Sequence, residues 1–119
     1  MAAPEIILRL PLAPSANSIW DNAGARVFRS KQYEDWYGHA GLVANTQHPQ
    51  RISGPYELTI EVSRPDDRRR DLDNFAKPTS DFLVRMGLVD DDYLAQLVTL
   101  RWVDTGSGML VRVKPAEVL

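Results

Sequence analysis

"YELTIEVSRPDDRRRDLDNFAK", residues 56–77, joins two different hydrophobic periods through one block of charge. Leu58, Ile60 and Val62 alternate with Glu57, Thr59 and Glu61, the two-residue period of a strand with one wet face. Beyond the charges the period changes. Phe75, Phe82, Leu83 and Met86 stand at i, i+7, i+8 and i+11, the stripe of an amphipathic helix, and Gly87 supplies its stop. Strand, charged turn and helix in that order predict an α/β unit with its charges at the junction.

Working outward, "EIILRL" (5–10) reads as a first strand, and "PLAPSANSIWDNAGARVF" (11–28) as a long loop whose length marks it as functional. Ser30 is placed to cap a helix with Tyr33, Trp36, Tyr37, Ala40, Val43 and Ala44 along one face. "HPQRISGP" (48–55) ends it. Downstream, "YLAQLVTLRWV" (93–103) and "MLVRVKP" (109–115) read as two strands, and the glycines of "DTGSG" between them suit a hairpin turn. The expected order is β-α-β-α-β-β, an α/β, α+β-like domain over residues 1–119 with a mixed sheet and two helices.

Composition narrows the class. A chain of 119 residues with 44% hydrophobic and 25% charged residues is ordinary for one globular domain and rules out disorder throughout. With no Cys, disulfides, thiolate metal sites and thiol nucleophiles are excluded. No apolar run approaches the ~20 residues that span a bilayer, and "MAAPEIILRL" lacks the layout of a signal peptide, so a cytoplasmic protein without a membrane partner is expected. The net charge is −2, so any attraction for nucleic acid must come from local basic clusters.

The charged block has the makings of a site. Asp71 and Asp73 flank Leu72, and if the segment stays extended their side chains project the same way. Two such carboxylates repel, and a hard divalent cation, Mg²⁺ or Mn²⁺, relieves the conflict. A second acidic group, Asp90, Asp91 and Asp92, opens the strand after the helix. If the strands flanking that helix are neighbours, these acids meet Asp71 and Asp73 at one edge of the sheet. Such a group holds metal for attack by water on a phosphoryl centre. Lys77 is positioned to stabilise charge developing on phosphate, and Arg64, Arg68, Arg69 and Arg70 supply forked donors for phosphate oxygens. Residues 64–77 hold five basic side chains against four acidic ones, a mixture suited to a phosphodiester nuclease.

Each feature also has a plainer explanation. Asp71 and Asp73 can cap the helix, the Asp90–Asp92 run can be a solvated turn, and the arginines can pair with neighbouring aspartates. The aromatic residues of the first helix read as core, and His39 and His48 stand isolated.

"RPDDRRRDLDNFAK" resembles the signature of the RusA family of Holliday junction resolvases, small homodimeric endodeoxyribonucleases often carried by phages and prophages. "PLAPSANSIW" is similar to the family's proline–serine–asparagine loop, and "DFLVRMGLVDDDYL" to its helix, glycine and acidic turn, so the likeness runs from about Ile6 to Trp102. The resemblance implies Mg²⁺ held by Asp71, Asp73 and Asp92, with Asp91 as an alternative or additional ligand, and Lys77 assisting cleavage. It further implies DNA contact at Arg70, a homodimer, and paired nicking of four-way junctions. Other branched DNA as substrate, or a dimer that binds junctions without cutting, remain alternatives. Pro78 departs from the pattern: it disfavours helical torsions at Lys77, which allows a later helix start.

Overall fold

The computed structural model describes residues 4–23, 26–104 and 106–117. Its centre is the strand read first in the sequence. The main sheet contains β1 (Ile6–Leu10), β4 (Tyr56–Ser63), β5 (Ala95–Val103) and β6 (Met109–Pro115) in the spatial order β1-β6-β4-β5. β6 runs antiparallel to both β1 and β4, while β5 runs parallel to β4. Ile60 stands opposite Val111 on one side and Leu100 on the other.

Alternation along these strands makes one face of the sheet apolar. Leu58, Ile60 and Val62 are fully buried, together with Ile6, Leu8, Val111 and Val113 on the neighbouring strands. The opposite face carries the ion pairs Arg101–Glu61 and Lys114–Glu57. Two helices complete the core over the apolar face: α1 (Lys31–Thr46), which buries Tyr33, Trp36, Ala40, Gly41 and Ala44, and α2 (Ala76–Arg85), which buries Phe82 and Leu83. Phe82 meets Trp36 at 5.4 Å and Tyr37 at 5.7 Å between ring centroids. Each fully buried side chain of this size contributes about 1.5–3 kcal/mol of transfer free energy. Ser30 caps α1 as expected, its Oγ accepting the Tyr33 N–H at 3.0 Å.

Three expectations are corrected. β5 and β6 do not form a hairpin, because β4 lies between them. A direct β5–β6 pair would leave β4 short of a partner on one edge, whereas insertion satisfies both of its edges. The connection therefore crosses the end of β4, where Ser63 N–H donates to Gly108 O at 3.0 Å and Arg64 N–H to Val103 O at 3.2 Å. Gly106 and Gly108, at φ of 78° and 74°, make the crossing; Thr105 lies outside the described residues.

The second correction concerns residues 11–28, which are not all loop. β2 (Trp20–Ala23) pairs antiparallel with β3 (Arg26–Arg29) as a separate small sheet. Strands of four residues are too short to establish a readable period. The third concerns Pro78, which lies inside α2 without delaying it: the helix begins at Ala76. Proline is tolerated in the first turn, where its missing N–H has no intrahelical acceptor to lose.

Gly108 offers a test of the crossing. A Cβ there would overlap the Leu10 carbonyl oxygen, in addition to the left-handed φ. Gly54 has a similar φ of 77° and open space around it. In urea unfolding, Gly54→Ala should cost about 1–2 kcal/mol, the conformational penalty alone. Gly108→Ala should cost about 3 kcal/mol or more, because the end of the β1–β6 ladder must part as well.

Candidate active site

The parallel β4–β5 pair requires a crossover, and α2 is that crossover. A short 3-10 turn, Leu72–Phe75, leads into α2, and another, Asp92–Leu94, leads into β5. The two acidic stretches thus stand at element junctions, as the sequence led us to expect. Lys77, in the first turn of α2, reaches the second stretch: its Nζ donates to Asp92 Oδ2 at 2.9 Å. That hydrogen bond holds the Asp92 carboxyl below its ordinary pKa, against a desolvation effect of opposite sign. Asp91 lies against Asp92, its Oδ1 accepting the Asp92 N–H at 2.7 Å.

Asp90 faces elsewhere. It pairs with Arg51 and accepts the Gly54 N–H at 3.0 Å, tying the end of the α2 segment to the approach of β4. The triple aspartate is therefore one structural anchor and two acids beside Lys77. Sequence reasoning had no signal for this division, since Arg51 is distant along the chain.

Asp71 is extended, with φ −84° and ψ 119°, whereas Asp73 already stands in the 3-10 turn. The alternation that would project both carboxylates to one side thus ends at Asp71. Neither side chain caps the turn, and neither makes an ion pair or hydrogen bond among the described residues. Both are exposed, so their oxygens are free for an external ligand.

The arginines divide in the same way. Arg70 forks onto Asp66, with Nε at 3.2 Å and Nη2 at 2.8 Å, and Arg68 N–H also donates to Asp66. Here the plainer explanation, pairing with a neighbouring aspartate, is met. Arg64 lies over the Trp102 ring at 4.8 Å and reaches Asp104 at 3.4 Å. Arg69 makes no ion pair among the described residues. Arg69, Arg70 and Asp71 line a cleft of about 580 Å³ together with Leu12, Ser15 and Trp36.

The donor set suits a hard cation in kind. Mg²⁺ is usually held by one or two carboxylates, with phosphate and water completing the shell. Among the described residues no three acidic or histidine side chains are grouped to hold an ion. The fit is therefore that of a partial shell, with Asp71 and Asp73 free and Asp92 held by Lys77. A buried donor supports a polar occupant nearby. The Tyr56 hydroxyl has no hydrogen-bond partner among the described residues, and its pKa is raised by burial and further by the charges of Asp92 and Asp91.

The Asp66–Arg70 pair gives a pH prediction. Arg70 depresses the pKa of the Asp66 carboxyl, chiefly through their hydrogen bond. A carboxyl lowered in the folded state stabilises above its unfolded pKa of ~3.9 and loses that contribution as pH falls through the depressed value. Arg70→Ala should raise the Asp66 pKa toward the ordinary carboxylate range in an NMR titration. An unchanged titration midpoint would show that the fork does not persist in solution.

Comparisons with known proteins give the family. The family model described as endodeoxyribonuclease RusA matches residues 10–114. A crossover junction endodeoxyribonuclease RusA of Escherichia coli K12 is 33% identical over 97 residues, covering 81% of this chain and 79% of that protein. A protein of the same name from Enterobacteria phage 82 is 32% identical over the same shares. One from Aquifex aeolicus is 24% identical over 113 residues, 92% of this chain and 88% of its own length. With a family match over most of its length, and relatives at this identity, the chain belongs to the RusA endodeoxyribonuclease family.

Proposed function

We propose that this protein is a Mg²⁺-dependent endodeoxyribonuclease that resolves four-way DNA junctions by paired nicking as a homodimer. The observation that carries the proposal is the Lys77–Asp92 contact. It ties the first turn of α2, which follows the turn carrying Asp73, to one of the acids before β5, in a chain of this family. The relatives are named for crossover junctions, which supplies the substrate class.

Asp71, Asp73 and Asp92 would hold Mg²⁺, with Asp91 beside the third and Mn²⁺ as a substitute. A bound ion of this kind lowers the pKa of water and neutralises phosphoryl charge. Lys77 pairs with the Asp92 carboxylate in the free protein and would supply positive charge beside the scissile phosphate. Arg64, Arg68, Arg69 and Arg70 contact the DNA backbone, and Arg70 must exchange its fork on Asp66 for phosphate. Binding of this type weakens steeply with salt as counterions are released.

The homodimer is assigned to the outer edge of β5. The β1 edge is partly covered by Gln47, whose amide accepts the Arg9 N–H at 2.9 Å and donates to Arg9 O at 2.8 Å, in place of a strand. Among the described residues β5, the other edge strand, has no such cover. Tyr93, Leu97 and Val98 are 76%, 54% and 43% exposed, and no charged residue lies between Tyr93 and Leu100. An uncharged apolar edge invites a second strand, and antiparallel pairing about a two-fold axis places one site for each of two strands.

Two tests follow. On a synthetic four-way junction with Mg²⁺, Asp71→Asn and Asp73→Asn should each lower nicking by about a hundredfold or more. Their melting temperatures without metal should stay equal or rise as repulsion is relieved. Equal cutting by wild type and variants would end the assignment. Tight junction binding without product from wild type would select the non-cleaving dimer, and flap or duplex substrates cut in preference would select another branched-DNA nuclease. In sedimentation, Leu97→Lys should yield a monomer, and its junction products should shift from paired to single nicks. A variant that remains dimeric would move the interface elsewhere.

A further inference from the structure

We infer that the cleft beside Asp71 receives one unstacked nucleobase of the strand being cut, and that Gln32 and Asn74 read its edge. This rests on the nuclease reading above and assigns that site a base preference. At about 580 Å³ the cleft falls in the range of sites for nucleoside-sized ligands and is far too small for a duplex. Its lining combines two chemistries. Arg69, Arg70 and Asp71 supply charge suited to phosphate and metal, while Leu12, Pro14, Trp36 and Phe75 supply apolar surface. A nucleotide has the same combination, a charged backbone and a flat, largely apolar ring.

The polar groups of the walls divide into committed and uncommitted. Ser15 Oγ accepts the Asn17 N–H at 3.2 Å, Ser18 O accepts the Ser30 hydroxyl, and Trp36 Nε1 donates to Pro11 O at 3.0 Å. These bonds fix the walls, which pre-organises the cleft and lowers the ordering cost of binding. Gln32, at the start of α1, and Asn74, in the turn before α2, both line the cleft. Neither side chain has a hydrogen bond or ion pair among the described residues. Each amide offers donors and an acceptor, the complement of a base edge. Gln47 shows the contrast: its amide is fully used against the Arg9 backbone. Unstacking a base is least costly where stacking is already interrupted, as it is at a crossover.

The experiment uses the full chain at saturating concentration and four-way junctions carrying 2-aminopurine or pyrrolocytosine at successive positions around the crossover. With Mg²⁺ withheld, fluorescence should rise severalfold at one position only. Gln32→Trp, which fills the cleft mouth from an exposed helix position, should remove that rise. With Mg²⁺ present, cutting should differ by about tenfold or more between the best and worst base at that position, one good amide–base pair's worth of discrimination. In Gln32→Ala and Asn74→Ala the ratio should fall below ~threefold, with circular dichroism confirming the fold. A rise that persists in Gln32→Trp, or a ratio unchanged in both alanine variants, overturns the inference. Efficient nicking with no base preference and no fluorescence rise overturns the cleft and keeps the nuclease. A position-specific rise, lost in Gln32→Trp, with no product from any junction keeps the cleft and overturns the nuclease. Absence of junction binding overturns both.

Discussion

β4 needs backbone partners on both edges, and the rest of the molecule is arranged to supply them. Its inward side chains, Leu58, Ile60 and Val62, are fully buried, so neither edge can be left to water without exposing the core. β6 serves one edge antiparallel and β5 the other in parallel. The parallel partner makes a crossover obligatory, and the crossover helix lies on the apolar face beside α1. Core packing and the placement of the acidic residues are thus two results of one pairing choice.

That choice also sets the electrostatics of the site. The N-terminal turn of α2 and the entry to β5 meet at Lys77 and Asp92, where a partly exposed ion pair lowers the Asp92 pKa. Exposed pairs contribute little stability, about 0–1 kcal/mol, so the contact serves better as an exchangeable arrangement than as a fastener. The same holds for Arg70 and Asp66, which satisfy each other in the free protein. Lys77 and Arg70 are occupied in this way in the free protein, and a polyanion can compete for both.

Around this exchangeable surface the supports are less accessible. Tyr33 is buried in α1, and its hydroxyl donates to Asp81 of α2, which also pairs with Arg29 of β3 at 3.2 Å. Burial, reinforced by that hydrogen bond, pushes the Tyr33 phenol well above its ordinary pKa, so it remains a donor throughout the physiological range. Arg85 pairs with Glu34 at 2.9 Å and lies over the Tyr37 ring at 3.8 Å, adding a second tie between the helices. The small β2–β3 sheet and the two helices are thereby held in one arrangement beside the cleft.

The sequence by itself determined the elements with strong periods: the alternation of 56–63, the helical stripes of 31–46 and 76–85, the Ser30 cap and the Gly87 stop. It also determined the charged block and its family signature, because these depend on residue type and spacing alone. Only tertiary structure decided that β4 parts β5 from β6, since local turn chemistry favours a hairpin and the cost of an unpaired central edge is not written in the turn. Only tertiary structure divided Asp90 from Asp91 and Asp92, by bringing Arg51 to Asp90, and joined Lys77 to Asp92. The physical reason is common to these cases: a charged or polar side chain takes whichever partner the fold brings within about 3 Å, and that partner's distance along the chain carries no signal in a local pattern.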